Sequence, residues 1–274
     1  MREIILGILQ GLTEFLPVSS SGHLALVQHF YPGDIETDIL LDILLHVGTL
    51  FVVLLYYRKD ILALCLAALS YRPGGRHSDD AASQQRIQHQ KMIMLIILGS
   101  IPTAIIGIGL QSTIKASFSS LTMVGVALLI TGTVLYIADT VKLSSPSRQT
   151  LSYKDALIIG TIQGIAIFPG ISRSGSTISA GILLGIERKI AAKFSFLLSI
   201  PAVVGAVILE GKELATLAQT PHLLPYMLAA IVAFITGYFA IAALIRLVVQ
   251  KKLSWFSWYC WAIGGIALGV SLIL

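Results

Sequence analysis

Two short stretches hold most of the groups in this chain that could do chemistry. The first, 10-QGLTEFLPVSSSGH-23, gathers an amide, a carboxylate, three hydroxyls and an imidazole. Gln10 and Glu14 stand four residues apart, so they share one face of a helix. Pro17 ends that helix. Ser19, Ser20 and Ser21 offer hydroxyls and caps to the next one, and His23 falls in its first turn. The second stretch, 169-PGISRSGST-177, is built alike. Gly170 and Gly175 allow tight backbone turns. Ser172, Ser174 and Thr177 supply hydroxyls, and Arg173 supplies a planar, permanently charged fork that matches phosphate oxygens. A helix restarting after a break presents free N–H groups and the positive end of its dipole, which suits an anion. Two such N-termini and an arginine predict a site for one phosphate group or two. Glu14 with Gln10 beside it is an oxygen set suited to Mg²⁺ or Ca²⁺, with substrate phosphates completing the shell.

Each residue also has a plainer reading. Ser19 and Ser21 read as caps rather than reactants, and Gln10 would serve equally as a bridge between helices. Glu14, His23 and Arg173 resist such readings, because a charge at bilayer depth costs on the order of 2.5–3.5 kcal/mol and marks function. Asp42 and His46, again four apart, either reach the site or pair structurally near the outer face. His77 and His89, in the polar segment 70–90, read as solvated loop residues.

The elements that must position these groups follow from composition. The chain has 274 residues, 55% hydrophobic and only 12% charged, with a mean hydropathy of +0.85. Soluble domains carry about 25% charged residues, so this is an integral membrane protein. The isoelectric point near 9.2 does not indicate nucleic acid, since Lys and Arg fall in loops between apolar runs. Cys65 and Cys260 read as small core residues with no metal or disulfide spacing. Arg2-Glu3 and the polar Gln10 and Glu14 argue against reading the N-terminus as a secretory leader. Six segments, roughly 40–57, 92–110, 121–138, 193–209, 225–245 and 256–274, are long enough to span as helices. Regions 4–30 and 157–185 contain apolar pieces too short to span, broken by Pro, Gly and Ser, and read as re-entrant helix–break–helix segments.

The two halves look duplicated, as repeats of approximately 1–140 and 153–274 within a single membrane domain. Gln-Gly at 10 recurs at 163, and Phe15 at Phe168. After one gap Pro17 matches Pro169 and Ser20 matches Ser172. One re-entrant segment and three spans per half turn the second copy upside down, which is an inverted repeat with broken helices at the site. With the N-terminus outside, 15 of the 19 Lys and Arg lie in the cytoplasmic loops, which fixes the orientation. The expected fold is an all-α polytopic membrane protein with six transmembrane helices, two re-entrant segments and the broken tips meeting at mid-membrane.

At this point a family resemblance carries the reading further. 10-QGLTEFLPVSSSGH-23 resembles the (Glu/Gln)-x-x-x-Glu box and following Ser-Ser-x-Gly-His of the bacitracin-resistance type undecaprenyl-diphosphate phosphatases. 169-PGISRSGST-177 is similar to that family's Pro-Gly-x-Ser-Arg-Ser-x-x-Thr box, and 42-DILLHVGTL-50 with 58-RKD-60 also resembles it. Gln10 stands where many members carry glutamate, and the family pattern allows either, which weakens the case for a two-carboxylate metal site. The resemblance implies hydrolysis of undecaprenyl diphosphate to the monophosphate with a divalent cation, Mg²⁺ or Ca²⁺. It implies recycling of a lipid carrier for wall synthesis, bacitracin resistance, and a site and both termini on the extracytoplasmic side of a bacterial plasma membrane. The partners are then a polyprenyl diphosphate and bilayer lipid.

A mechanism in these terms has Arg173, Ser172, Ser174 and backbone N–H groups neutralising the phosphates, and Glu14 with Gln10 positioning the metal. Ser20 attacks with His23 as its base, or His23 attacks directly or activates water. Gly170, Thr177, Ser19 and Ser21 complete the substrate contacts. The rival function is a carrier or flippase for a polyprenyl phosphate, which would use the same inverted architecture without chemistry. Gly265 and Gly269 stand at a spacing that suits pairing of two copies in a homodimer.

Overall fold

The computed structural model describes residues 1–31, 35–70, 81–141, 147–210 and 223–273, with the backbone alone over 35–38. These residues form twelve helices and no strand, apart from one isolated bridge between Arg148 and Ile186. In chain order they are α1 Arg2–Phe15, α2 Ser20–Phe30, α3 Ile35–Tyr56, α4 Arg58–Leu69, α5 Ala81–Gly109, α6 Gln111–Ser117, α7 Leu121–Thr140, α8 Tyr153–Ile165, α9 Arg173–Leu183, α10 Arg188–Leu209, α11 Leu223–Val249 and α12 Ser254–Ser271. Five of them, α3, α5, α7, α10 and α11, are long and apolar enough to cross a membrane. The chain is a polytopic helical membrane protein.

The sixth expected span exists as the helix α12 but is less apolar than the other five. Trp255, Trp258, Tyr259 and Trp261, with Ser254 and Ser257, dilute it, and such amphipathic rings favour the membrane interface. The segment expected as a charged loop over 70–90 is partly helical. Residues 71–80, including His77, lie outside the described residues, but Ala81–Gln90 form the first turns of α5. Their Ala, Gln and Arg residues are strong helix formers, so propensity outweighs polarity there. Cys260 is buried as expected. Cys65 is exposed on α4 and is not a core residue.

The two interrupted regions resolve into α1 with α2 and α8 with α9. Each helix has 11 to 14 residues, too few for about 20 in a span. Leu16, the residue before Pro17, is extended (φ −61°, ψ 142°), as proline imposes on its predecessor. At the other break Gly170 has φ +94°, a conformation that excludes most side chains. The broken helices are anchored by close packing. α1 lies along α11, and α8 lies along α5 so tightly that a Cβ on Gly160 would stand 2.0 Å from the Gly99 carbonyl oxygen. Phe15, Phe194 and Phe196 are fully buried in the main core beneath the two breaks. At the start of α8, Ser152 and Asp155 form a capping box that Arg148 clamps through both carboxylate oxygens at 3.0 and 3.2 Å.

Candidate active site

The site is assembled where the two breaks touch. Ser19 caps α2 by accepting from the Gly22 N–H at 3.2 Å, and Ser172 caps α9 by accepting from the Gly175 N–H at 3.0 Å. Both helices therefore begin at the junction, with their positive dipole ends turned to it. The Ser19 hydroxyl also accepts from the Gly170 N–H at 3.1 Å, so one side chain ties the first break to the second. Ser174 donates to the Phe15 carbonyl at 3.1 Å across the same junction. Contact is close enough that a Cβ on Gly22 would fall 2.9 Å from the Gly170 Cα.

Glu14 is the hub. Its Oε1 accepts from Arg173 Nη2 at 2.5 Å, and its Oε2 accepts from Ser20 Oγ at 2.6 Å and from Gln10 Nε2 at 3.2 Å. His46 Nε2 stands 3.9 Å from Oε2, within ion-pair reach when the ring is protonated. The Glu14 and Arg173 side chains are only 9% and 15% exposed. Burial weakens screening, so the pair holds two charges that would each be costly alone. Among the described residues Arg173 Nη1 is buried without a partner, and so is Gln10 Oε1. An unused donor and an unused acceptor flank one carboxylate.

A cavity of about 750 Å³ opens from this hub. Glu14, Ser19, Ser20, Ser21, Ser172 and Arg173 are among its polar lining residues. Ile43, Ile167, Ile171, Val203 and Val207 are among its apolar walls, and Lys115 also lines it. A cavity lined by an arginine, hydroxyls and apolar side chains fits an amphiphile whose head is anionic.

A family profile described as bacitracin resistance protein BacA matches residues 3–266. The chain belongs to that family. A protein named undecaprenyl-diphosphatase from Desulfatibacillum aliphaticivorans is 43% identical across 100% of this chain and 99% of its own length. Proteins of the same name from Alkaliphilus metalliredigens and Desulfosudis oleivorans are 41% and 42% identical, each across 99% of this chain and 98% of their own length.

The structure brings Glu14, Ser20, Gln10 and Arg173 into one hydrogen-bonded group, but it does not join His23 to Ser20. The His23 ring is used twice elsewhere. Nδ1 lies 2.8 Å from the Ser19 carbonyl oxygen and Nε2 lies 2.8 Å from the Tyr259 hydroxyl. The three-residue spacing that suggested a Ser–His pair leaves the two side chains diverging from the helix start. Several residues expected as substrate contacts make internal hydrogen bonds. Ser174 bonds Phe15, and Thr177 donates to the Arg173 carbonyl at 2.7 Å and meets Ser195 at 2.6 Å. The Gly170 backbone is spent on Ser19 and on Thr131, whose hydroxyl donates to the Gly170 carbonyl at 2.9 Å. His46 and Asp42 both line the cavity. His46 Nδ1 is bonded to the Asp42 backbone carbonyl at 2.8 Å, and the Asp42 carboxylate accepts from Gln28.

The residues that sequence reasoning missed are Thr131 and Tyr259. Thr131 donates to Gly170 and accepts from the Ser172 N–H at 3.0 Å, which fixes the second break against α7. Its only signal is a hydroxyl in the middle of an apolar helix. Tyr259 carries no local signal, because it stands 236 residues from the histidine it meets.

Proposed function

We propose that this chain is an undecaprenyl-diphosphatase, hydrolysing undecaprenyl diphosphate to undecaprenyl phosphate and inorganic phosphate, and so conferring bacitracin resistance by recycling the lipid carrier of wall synthesis. The observation that carries the reading is the Ser20 hydroxyl donating to a carboxylate that is itself clamped by Arg173, in the wall of a cavity that apolar side chains also line. The near full-length relatives named for that activity support it.

In the reaction this geometry favours, the terminal phosphate rests against Arg173 and the α2 and α9 N-termini, with the isoprenoid tail along the apolar walls. Ser20 Oγ attacks the terminal phosphorus while its proton passes to Glu14 Oε2. The bond from phosphorus to the bridging oxygen breaks, and undecaprenyl phosphate leaves. Water then attacks the phosphoserine. The phosphorus–Oγ bond breaks, one water proton returns to Ser20, and inorganic phosphate is released as Glu14 loses its proton to cavity water. Arg173 answers the charge gained in each step, using the Nη1 donor left unpartnered, and electrostatics of this kind dominates phosphoryl transfer. Phosphate trapped on Ser20 after rapid quenching, located by mass spectrometry, tests the assignment; phosphate on His23 would overturn it.

The residues fit a divalent cation that the substrate helps to hold. Among the described residues no group of three or more His, Cys, Asp or Glu forms a metal cluster. Glu14 and the Gln10 Oε1, unpartnered among the described residues, are hard oxygens beside Arg173, and Mg²⁺ is commonly held by one carboxylate plus phosphates and water. Bound there, Mg²⁺ or Ca²⁺ would neutralise charge on the phosphates. The rest of the site needs no such ion to be in place: Arg173 orients the anion and Ser20 is already hydrogen-bonded to its base.

The same reading includes a six-span inverted repeat with re-entrant tips, the site and both termini extracytoplasmic. Its support is that element pairs exchange between the halves. α1 packs on α11 as α8 packs on α5, and α3 contacts α11 as α10 contacts α5. The Lys and Arg distribution supports the orientation. A carrier function would use the architecture but has no use for a hydroxyl on a clamped carboxylate. Phosphate release by purified protein in detergent decides between them, since a carrier does nothing without a membrane.

A further inference from the structure

The His23 environment identifies its tautomer. A carbonyl oxygen only accepts, so the nitrogen 2.8 Å from the Ser19 oxygen, Nδ1, carries a hydrogen. In the neutral ring the lone pair is then on Nε2, and Tyr259 fills it by donating from 2.8 Å. The two rings also lie nearly parallel, 6° apart with centroids 5.6 Å apart. His23 is 6% exposed and is not part of the cavity wall. A base or nucleophile needs a free lone pair facing the substrate, and this ring offers none.

What the ring does hold is Ser19. That residue has φ 69° and ψ 95°, a strained conformation for a non-glycine residue that persists only where surroundings enforce it. Ser19 is also the joint of the site. Its carbonyl takes the His23 ring and backbone N–H groups, at 2.8 and 3.2 Å, its hydroxyl takes the Gly22 and Gly170 N–H groups, and Ser20 follows it directly.

We propose that Tyr259 and His23 are positioning residues of this phosphatase: Tyr259 on α12 holds the His23 ring, and His23 holds the strained Ser19 backbone that presents the Ser20 hydroxyl to Glu14. The inference rests on the hydrolase reading above for its consequence, but the contact it describes stands apart from it. It also explains why α12 matters to a site built from α1, α2 and α9.

The test uses the full-length chain in detergent with undecaprenyl diphosphate. His23→Asn places an amide N–H near the Nδ1 position, where it can still donate to Ser19. An amide can be neither base nor phosphate acceptor. His23→Asn is expected to keep activity within about tenfold of wild type, the scale of one altered neutral hydrogen bond, while His23→Ala falls much further. Tyr259→Phe keeps the ring and loses the hydroxyl. It is expected to lower kcat about fivefold at unchanged KM, and to move the ¹⁵N signal of His23 Nε2 toward that of an acceptor without a donor. His23→Asn as inactive as His23→Ala, with both variants folded by circular dichroism, overturns the proposal. So does an Nε2 signal that Tyr259→Phe leaves in place. Absence of phosphate release by the wild-type chain would sink the hydrolase reading instead, and the ¹⁵N signal would still decide whether Tyr259 holds His23.

Discussion

Glu14 and Arg173, 159 residues apart in the chain, meet at 2.5 Å between Oε1 and Nη2. The contact joins the end of α1 to the start of α9, so the two breaks share one charged centre. Neither charge could be buried there alone at reasonable cost. Removing one partner should therefore damage the fold as well as the chemistry. Arg173→Ala is expected to destabilise by about 3 kcal/mol, and Glu14→Gln combined with Arg173→Gln to recover part of that loss without any activity. Thermal unfolding in detergent beside a phosphate-release assay separates the two effects. Arg173→Lys, which keeps charge and loses the fork, should fold and lose about a hundredfold in kcat.

Ser20→Ala removes the attacking group and one of three donors to Glu14. Activity should drop by at least about a thousandfold. Stability should change by only about 1 kcal/mol, because Arg173 and Gln10 still satisfy the carboxylate. A Ser20→Ala protein with wild-type kcat would show that Ser20 only binds.

Gly170→Ala tests the junction itself. A Cβ there would lie 2.5 Å from the Val124 carbonyl oxygen and 2.7 Å from the Ala127 Cβ, on a backbone with φ +94°. Destabilisation of about 2 kcal/mol or more is expected, with a larger loss of activity since the Gly170 N–H bonds Ser19. Alanine at Gly265, which has nothing within 4 Å of its Cβ position among the described residues, is the control and should leave both unchanged.

With a single carboxylate and an amide oxygen as protein donors, cation binding should depend on the substrate phosphates. Mg²⁺ alone should leave the melting temperature unchanged, whereas Mg²⁺ with inorganic diphosphate should raise it. Gln10→Glu supplies a second carboxylate and should let Mg²⁺ stabilise the protein without diphosphate. Chelation with EDTA should abolish turnover and leave the melting temperature of the free chain intact.

Asp155 predicts a pH dependence of stability outside the spanning helices. Burial alone would raise its carboxyl. The hydrogen bonds from Arg148 and from the Ser152 backbone and side chain outweigh that and hold it below its ordinary value of 3.8. A carboxyl lowered on folding stabilises the fold above its ordinary value, and that stabilisation is lost as pH falls through the lowered one. The stability gap between wild type and Asp155→Asn should therefore be full at neutral pH and close as pH drops below 3.8. Melting temperatures from pH 7 to pH 3 would check the sign.

Much of this protein was written locally. Hydropathy alone required membrane helices, because runs such as 121–138 leave no other way to satisfy backbone groups in lipid. Pro17, Gly170 and the serine clusters marked both interruptions, and the cap at Ser19 followed from residue type. The nomination of Glu14 and Arg173 came from the cost of burying charge, which needs no partner to be known. What a linear pattern could not show was who meets whom. Spacing put His23 beside Ser20, yet the ring turns away to Ser19 and Tyr259. Nor could it show that the hydroxyls at 174 and 177 bond Phe15, Arg173 and Ser195. Periodicity reports which face of a helix is apolar, and composition reports what a buried group must cost. Direction and partner are set by how α1, α9, α7 and α12 pack, and that packing sums many weak long-range contacts that no short stretch of chain records.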